Sequence, residues 1–324
     1  MFTRDGLERI LVSAAVFLSL FPSWRFRPFF FTASDLVFCF SLLALLLTRG
    51  LPRAPFGALT LYWFAGLGLL MAALMSSTLI NGAPTRGLIV VGQYLFSFVL
   101  LPLVIMGRDR ESTIGLVRVF AAGVFVANFA SIVLYYSGYT GDHLFVTGNG
   151  RLGSFAGGPN GNAQMIALAC PLVIYLWLAG RIATYYAAAL LLTLMVALIL
   201  TSSNNGIGLT ILGTSALFIV LRDLRYLARA AAGVAVCVVL VMVWGSYWLP
   251  ATFEQRVLGA VRSGSIEEAG SFEDRMALME EAMEMVDETM LVGLGVDQYR
   301  VISQYSRPFG LRTRNTGASS RSVA

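Results

Sequence analysis

The sequence predicts an all-α, polytopic membrane protein, and three observations carry that expectation. Apolar runs of about 20 residues, the length of a bilayer-crossing helix, recur between Leu7 and Leu249. Short polar connections separate them, and arginine is concentrated in alternate connections. The composition agrees, at 57% hydrophobic and 13% charged residues with a mean hydropathy of +0.75, which excludes an ordinary soluble chain. Lipid offers no partner to a bare backbone, and the runs are too long for barrel strands, so each run is expected to be a helix.

In chain order the runs are 7–21, 28–48, 56–78, 87–106, 113–136, 162–180, 183–201, 205–221 and 227–249, about nine spans. The first is followed by Pro22-Ser23-Trp24-Arg25 instead of a small-x-small cleavage site, so it is expected to be a span and not a signal peptide. One set of connections holds Arg4, Arg9, Arg49, Arg53, Arg108, Arg110, Arg181, Arg222, Arg225 and Arg229. The alternating set holds only Arg25, Arg27, Arg86 and Arg151. The positive-inside rule then puts the N-terminus in the cytoplasm, and the loop 137–161 and everything after 249 outside. Residues 1–249 form the expected transmembrane bundle, 250–306 an external segment, and 307–324 a polar tail of disorder-like composition.

Within the external segment, Ser271-Phe272-Glu273-Asp274 has the pattern of a capping box, and Phe272, Met276, Met279, Met283, Val286 and Met290 recur at spacings of four and three. An amphipathic helix over 271–290 is expected, ended by Gly293-Leu294-Gly295. Its carboxylates gather on the far face, and Arg275 falls about 60° from the centre of the apolar stripe. With so acidic a surface, the stripe is expected to pack on the helix bundle and not on anionic headgroups.

Lys and Arg total 23 and every one is Arg, scattered over separate loops without the basic stripe of a nucleic-acid binder. Cys39, Cys170 and Cys237 all fall in apolar runs, so neither a disulfide framework nor metal spacing follows. His143 is the single histidine, which excludes a His-rich metal site. Gln93 and Asn128 lie inside spans, where amides usually hydrogen-bond to a neighbouring helix. Asp35 is open to a structural or a functional reading.

The stretch from Arg151 to Asn162, a glycine-rich turn between two apolar runs, sets a guanidinium beside a flexible backbone and a helix start. Pro159-Asn160-Gly161 opens that helix, whose free N–H groups favour an anion. An anion-binding element and a plain interhelical loop are both consistent with these residues alone.

Three segments in order resemble the O-antigen ligase and polymerase family of polytopic membrane glycosyltransferases. These are Arg-x-Gly-x-Phe leading to Pro-Asn at 151–160, a Ser-rich helix end at 202–206, and an Arg-bearing helix closing on Gly-x-Gly at 275–299. The resemblance implies transfer of a polyprenyl-diphosphate-linked oligosaccharide to the lipid A core or to a growing glycan, in lipopolysaccharide and other surface-polysaccharide biosynthesis. It implies the outer face of the bacterial inner membrane, a glycolipid or glycan acceptor, membrane lipids as surroundings, and no cofactor, metal or nucleic acid. By the same resemblance Arg151, Arg275, Gly153 and Asn160 would contact the diphosphate donor, with Asp35, Asn204 and Asn205 in support. The family's cationic residue is replaced at Ser203-Asn204-Asn205-Gly206, and its histidine after Gly-x-Gly is missing, so a chain lacking the family's C-terminal part is expected, which leaves active and inactive forms both open. His143 is the candidate substitute base. A transporter or flippase for an anionic solute, and a non-catalytic assembly subunit, are the rival readings.

Overall fold

A computed structural model describes residues 4–22, 25–26, 31–48, 50–82, 84–138, 145–222, 251–258, 272–289, 293–296 and 298. Helices dominate: α1 (Arg4–Leu18), α2 (Ala33–Thr48), α3 (Thr60–Asn81), α4 (Pro84–Leu95), α5 (Leu101–Ile105), α6 (Arg110–Tyr136), α7 (Pro159–Leu178), α8 (Thr184–Thr201), α9 (Asn204–Leu221), α10 (Ala251–Phe253) and α11 (Phe272–Thr289). A π-helical stretch, Phe96–Leu100, joins α4 to α5, so the two make one continuous run of 22 residues. The only sheet among the described residues is a two-residue antiparallel pair, β1 (Arg25–Phe26) with β2 (Phe31–Thr32).

Among the described residues six helices are long and apolar enough to cross a membrane: Gly57–Asn81, Pro84–Ile105, α6, α7, α8 and α9. Six of the expected nine runs are thereby matched. The runs 7–21 and 28–48 do form helices, but of 15 and 16 residues, short of the ~20 that a bilayer needs. For the second the reason is a cap. Thr32 Oγ1 accepts from Asp35 N–H at 3.2 Å and the Asp35 carboxylate accepts from Thr32 N–H at 2.7 Å, which starts α2 at Ala33, five residues into the apolar run. The run 227–249 lies outside the described residues.

Local signals set the other helix ends. Asp109 caps α6 by accepting from Ser112 N–H at 3.1 Å, and the Ser112 hydroxyl and N–H together hold its carboxyl below the usual carboxylate value. Pro159 opens α7, where its missing N–H costs nothing. Ser202 ends α8 in the left-handed region at φ 49°, and Ser203 then caps α9 by accepting from Gly206 N–H at 3.3 Å.

The chain packs as two units. One comprises residues 1–55 and 100–270, the other 56–99 and 271–324, so packing cuts across the composition boundary at 249. In the first unit α1 pairs with α2 and α6, while α7 packs on both α8 and α9 and α6 on α7 and α8. Its core lies where Val124 and Ala127 of α6, Ile166 and Val173 of α7, and Leu194 and Leu198 of α8 converge. In the second unit α3 pairs with α4 through Gly87, where an added Cβ would stand 2.4 Å from Thr78 Cγ2.

That unit also contains the Gly-x-Gly segment. Asn81 Nδ2 donates to Gly293 O at 2.8 Å, Gly295 N–H donates to Ser77 Oγ at 3.0 Å, and Val296 N–H to Thr78 Oγ1 at 3.3 Å. Gly295 has φ 92° and a Cβ there would stand 2.8 Å from Gly82 Cα, so two glycines permit a backbone-to-backbone contact closed to other residues.

Candidate functional site: a polar junction of helix ends

In the first unit α6 and α8 end, and α7 and α9 begin, at one end of the bundle. The α6–α7 connection plugs that junction. It folds back on itself from Phe145 to Gly153: Thr147 N–H donates to Arg151 O at 3.0 Å, and Gly153 N–H to Phe145 O at 2.7 Å. Leu152 N–H then donates to Leu200 O of α8 at 2.9 Å, and the Leu152 side chain is wholly buried. The plug is fastened to α6 by a polar row one side of that helix supplies, since positions 128, 131 and 135 fall within about 60° of arc. Ser131 Oγ shares a hydrogen bond with Ser154 Oγ at 2.9 Å, and Tyr135 Oη donates to Gly150 O at 3.2 Å. Ser154 holds φ 54° to reach α6, an unfavourable backbone state stabilised by that contact. Deeper, Asn162 Nδ2 donates to Asn128 Oδ1 at 2.9 Å, the helix-to-helix amide bond expected of Asn128. Gln93, its counterpart in α4, is exposed.

Arg151 is at the centre of the junction and only 8% exposed. Its Nε–H donates to Thr201 O, a carbonyl in the last turn of α8, at 2.8 Å, and an Nη2 hydrogen goes to Asn160 Oδ1 at 3.0 Å. Asn160 Oδ1 also accepts from Ser203 Oγ at 3.2 Å, so one amide oxygen joins the first turn of α7 to the cap of α9. The two N-termini are close because Gly206 is a glycine: a Cβ there would stand 2.4 Å from Ala163 Cβ. The N-termini of α7 and α9 are offset in part by the C-termini of α6 and α8 at the same end, so the buried guanidinium supplies the net positive charge of the junction, in low dielectric. Such an arrangement attracts an anion, and two adjacent N-termini with an arginine suit phosphate oxygens. After α9, Thr252 of α10 shares a hydrogen bond with Ser202 Oγ at 3.3 Å, and Phe253 beside it is buried.

Of the residues singled out by sequence, Arg151, Gly153 and Asn160 are brought together here, and Asn204 and Asn205 lie exposed in the adjoining first turn of α9. Asp35 is committed to the Thr32 capping box. Arg275 belongs to the other packing unit, exposed on α11, with no hydrogen bond or ion pair to any described residue. His143 lies outside the described residues. Sequence reasoning missed Ser203 as the partner of Asn160 and the buried Ser131–Ser154 pair that fastens the plug; for Asn128 it expected an interhelical bond but did not identify Asn162 as the partner. It had flagged the serine-rich end at 202–206, but a serine before a helix is also an ordinary cap signal. Also missed is a second buried charge, where Glu8, with no exposed surface, pairs with both terminal nitrogens of Arg108. That pair ties α1 to the turn before α6, at the opposite helix ends from Arg151.

Fold and junction together define a class: a mostly helical chain with several helices compatible with membrane embedding, and a buried arginine held between helix N-termini. Comparison leaves it at that class, because no family model, no curated protein and no solved structure matches the chain.

Proposed function

We propose that the chain transfers a polyprenyl-diphosphate-linked oligosaccharide to an acceptor sugar, the lipid A core or a growing glycan, at the outer face of a bacterial inner membrane. The observation that carries this reading is the buried Arg151 guanidinium between the N-termini of α7 and α9. In such a transfer the acceptor hydroxyl oxygen attacks the anomeric carbon, the bond from that carbon to the phosphate oxygen breaks, and the electron pair leaves with the diphosphate. Charge grows on the leaving group, and Arg151 with the two helix N-termini stabilises it there. The chemistry needs no metal, because a fixed guanidinium supplies the positive charge. Gly153 keeps the backbone at the plug thin, and Asn160 holds Arg151 in register. Arg275 is the second donor-contacting arginine in this reading, and His143 the candidate base for the acceptor proton.

Within the first unit Ser202 and Thr252 touch, so the end of α8 and the start of α10 share one side in this reading, and the apolar run 227–249 has the length of a crossing. Within the second unit Gly82 and Gly295 touch, so the α3–α4 turn and the segment after α11 share a side as well.

The test is the full chain in nanodiscs with a polyprenyl-diphosphate-linked oligosaccharide and an acceptor glycolipid, product being followed by gel shift. Arg151→Ala is expected to lower transfer by about 100-fold or more, with Arg151→Lys recovering part of it. Because Arg275 is exposed, Arg275→Ala leaves the fold intact and is expected to weaken donor binding. Transfer absent from the unaltered chain, with donor binding unchanged in both variants, overturns the assignment. Binding without transfer assigns the non-catalytic role.

A further inference from the structure

α11 has an apolar face that none of the described residues covers. Met276, Met279, Met283 and Val286 are 36%, 55%, 58% and 55% exposed, while Leu278, Ala282 and Met285 beside them are half-buried. The stripe expected to pack inward is the outward one. Glu280, Glu281, Glu284, Asp287 and Glu288 occupy the arc from about 60° to 180° away on one flank, and Arg275 heads the line that runs through Met279, Ala282 and Val286 on the other.

Position identifies what covers the face. The residues just after α11 are tied to the C-terminal end of α3 by the bonds from Asn81 to Gly293, from Gly295 to Ser77 and from Val296 to Thr78. Gly57–Asn81 is of membrane length, and the last apolar residues before that end, Leu79 and Ile80, are 63% and 66% exposed. The tether therefore holds α11 at the bilayer boundary, beside a helix surface that lipid covers.

We propose that α11 is an interfacial helix: its methionine stripe lies on the bilayer surface next to α3, Arg275 reaches the phosphate layer, and the exposed carboxylates Glu280, Glu284, Asp287 and Glu288 stay on the water side. Charge separation around the helix fits this, since its one cation is on one flank of the stripe and the carboxylates are on the other, Asp287 about 60° from the stripe centre and the rest further round. The acidic face sets the lipid chemistry. A zwitterionic surface satisfies the stripe and Arg275 without repelling the carboxylates, whereas dense anionic lipid opposes docking. The proposal needs only a membrane around α3 and does not depend on the transferase reading.

The full chain, with Cys39, Cys170 and Cys237 replaced by alanine, is reconstituted in phosphatidylcholine vesicles and spin-labelled singly at Met279→Cys, Met283→Cys, Glu284→Cys or Glu288→Cys. The ratio of relaxation by oxygen to relaxation by a water-soluble nickel complex is expected to be several-fold higher at the two methionine positions. Equal nickel access at all four positions means the stripe is in water and overturns the proposal. Exclusion of both relaxants at 279 and 283 means protein covers the stripe, from this chain or a second copy, and also overturns it. Where the cysteine-free background does not fold, the unaltered chain is irradiated with a phosphatidylcholine carrying a diazirine near its glycerol. Lipid adducts on α11 at Met279 or Met283 are expected, and their absence beside adducts on α3 is the refuting result.

Discussion

A single carboxylate illustrates how much depends on what surrounds a polar residue near lipid. Asp35 is at the edge of an apolar run, where an acid without a partner would be costly. The backbone of Thr32 supplies the partner, and the reciprocal Thr32–Asp35 bonds make the pair a helix cap. The cap requires an acceptor and not a charge. Asp35→Asn is therefore expected to keep thermal stability and transfer nearly unchanged, whereas Asp35→Ala costs about 0.5–2 kcal/mol in detergent unfolding. Loss of transfer in Asp35→Asn with the fold intact would return Asp35 to the site. Arg151 is the contrasting case. The sequence identifies it through its glycine-rich, apolar setting, but its burial depends on Leu152 docking under Leu200, a contact between residues far apart in the chain. Glu8 was hidden for the same reason, since its partner Arg108 is a hundred positions away.

At the scale of the element, the junction depends on how closely α7 and α9 approach. Small residues let membrane helices meet at short range, and Gly206 with Gly213 gives α9 such a face toward α7, where a Cβ on Gly213 would stand 3.6 Å from Pro171 Cγ. At Gly206 the fit has no slack. Gly206→Ala is expected to force the first turns of α7 and α9 apart, cost about 1–3 kcal/mol, and break the Asn160–Ser203 bond. Donor affinity should fall with it, while Gly208→Ala, whose Cβ would meet nothing within 4 Å, serves as the control. Equal affinities for the two variants would remove the helix N-termini from the site. Element existence was legible from hydropathy: α6 to α9 form within a few residues of the expected 113–136, 162–180, 183–201 and 205–221. Which face of an element is covered was less legible. The spacing along α11 identified an apolar stripe, but periodicity carries no information about whether protein or lipid meets it.

For the whole molecule, the contacts Ser202–Thr252 and Gly82–Gly295 make a joint prediction about sidedness. Single cysteines replacing Asn81, Asn205 and Thr289 should all react with an impermeant maleimide added to one side of sealed vesicles. One replacing Arg110 should react only from the other. Labelling of Asn205 and Thr289 from opposite sides would remove Arg275 from the proposed donor contacts. The N-terminal orientation came from arginine counting alone, which fixes a sign but not the number of crossings. That number depends on where caps and short helices stop, as at Thr32, and hydropathy does not resolve those points.

The second packing unit joins residues 56–99 to 271–324, and that split has a consequence during synthesis. The α3–α4 hairpin leaves the ribosome early, but the glycines that close over its end come nearly two hundred codons later. At ~5–20 residues per second the wait is about 10–40 s. For that interval Ser77, Thr78 and Asn81 lack the backbone groups they later bind, so this end of the hairpin takes its final form only after the rest of the chain has been made.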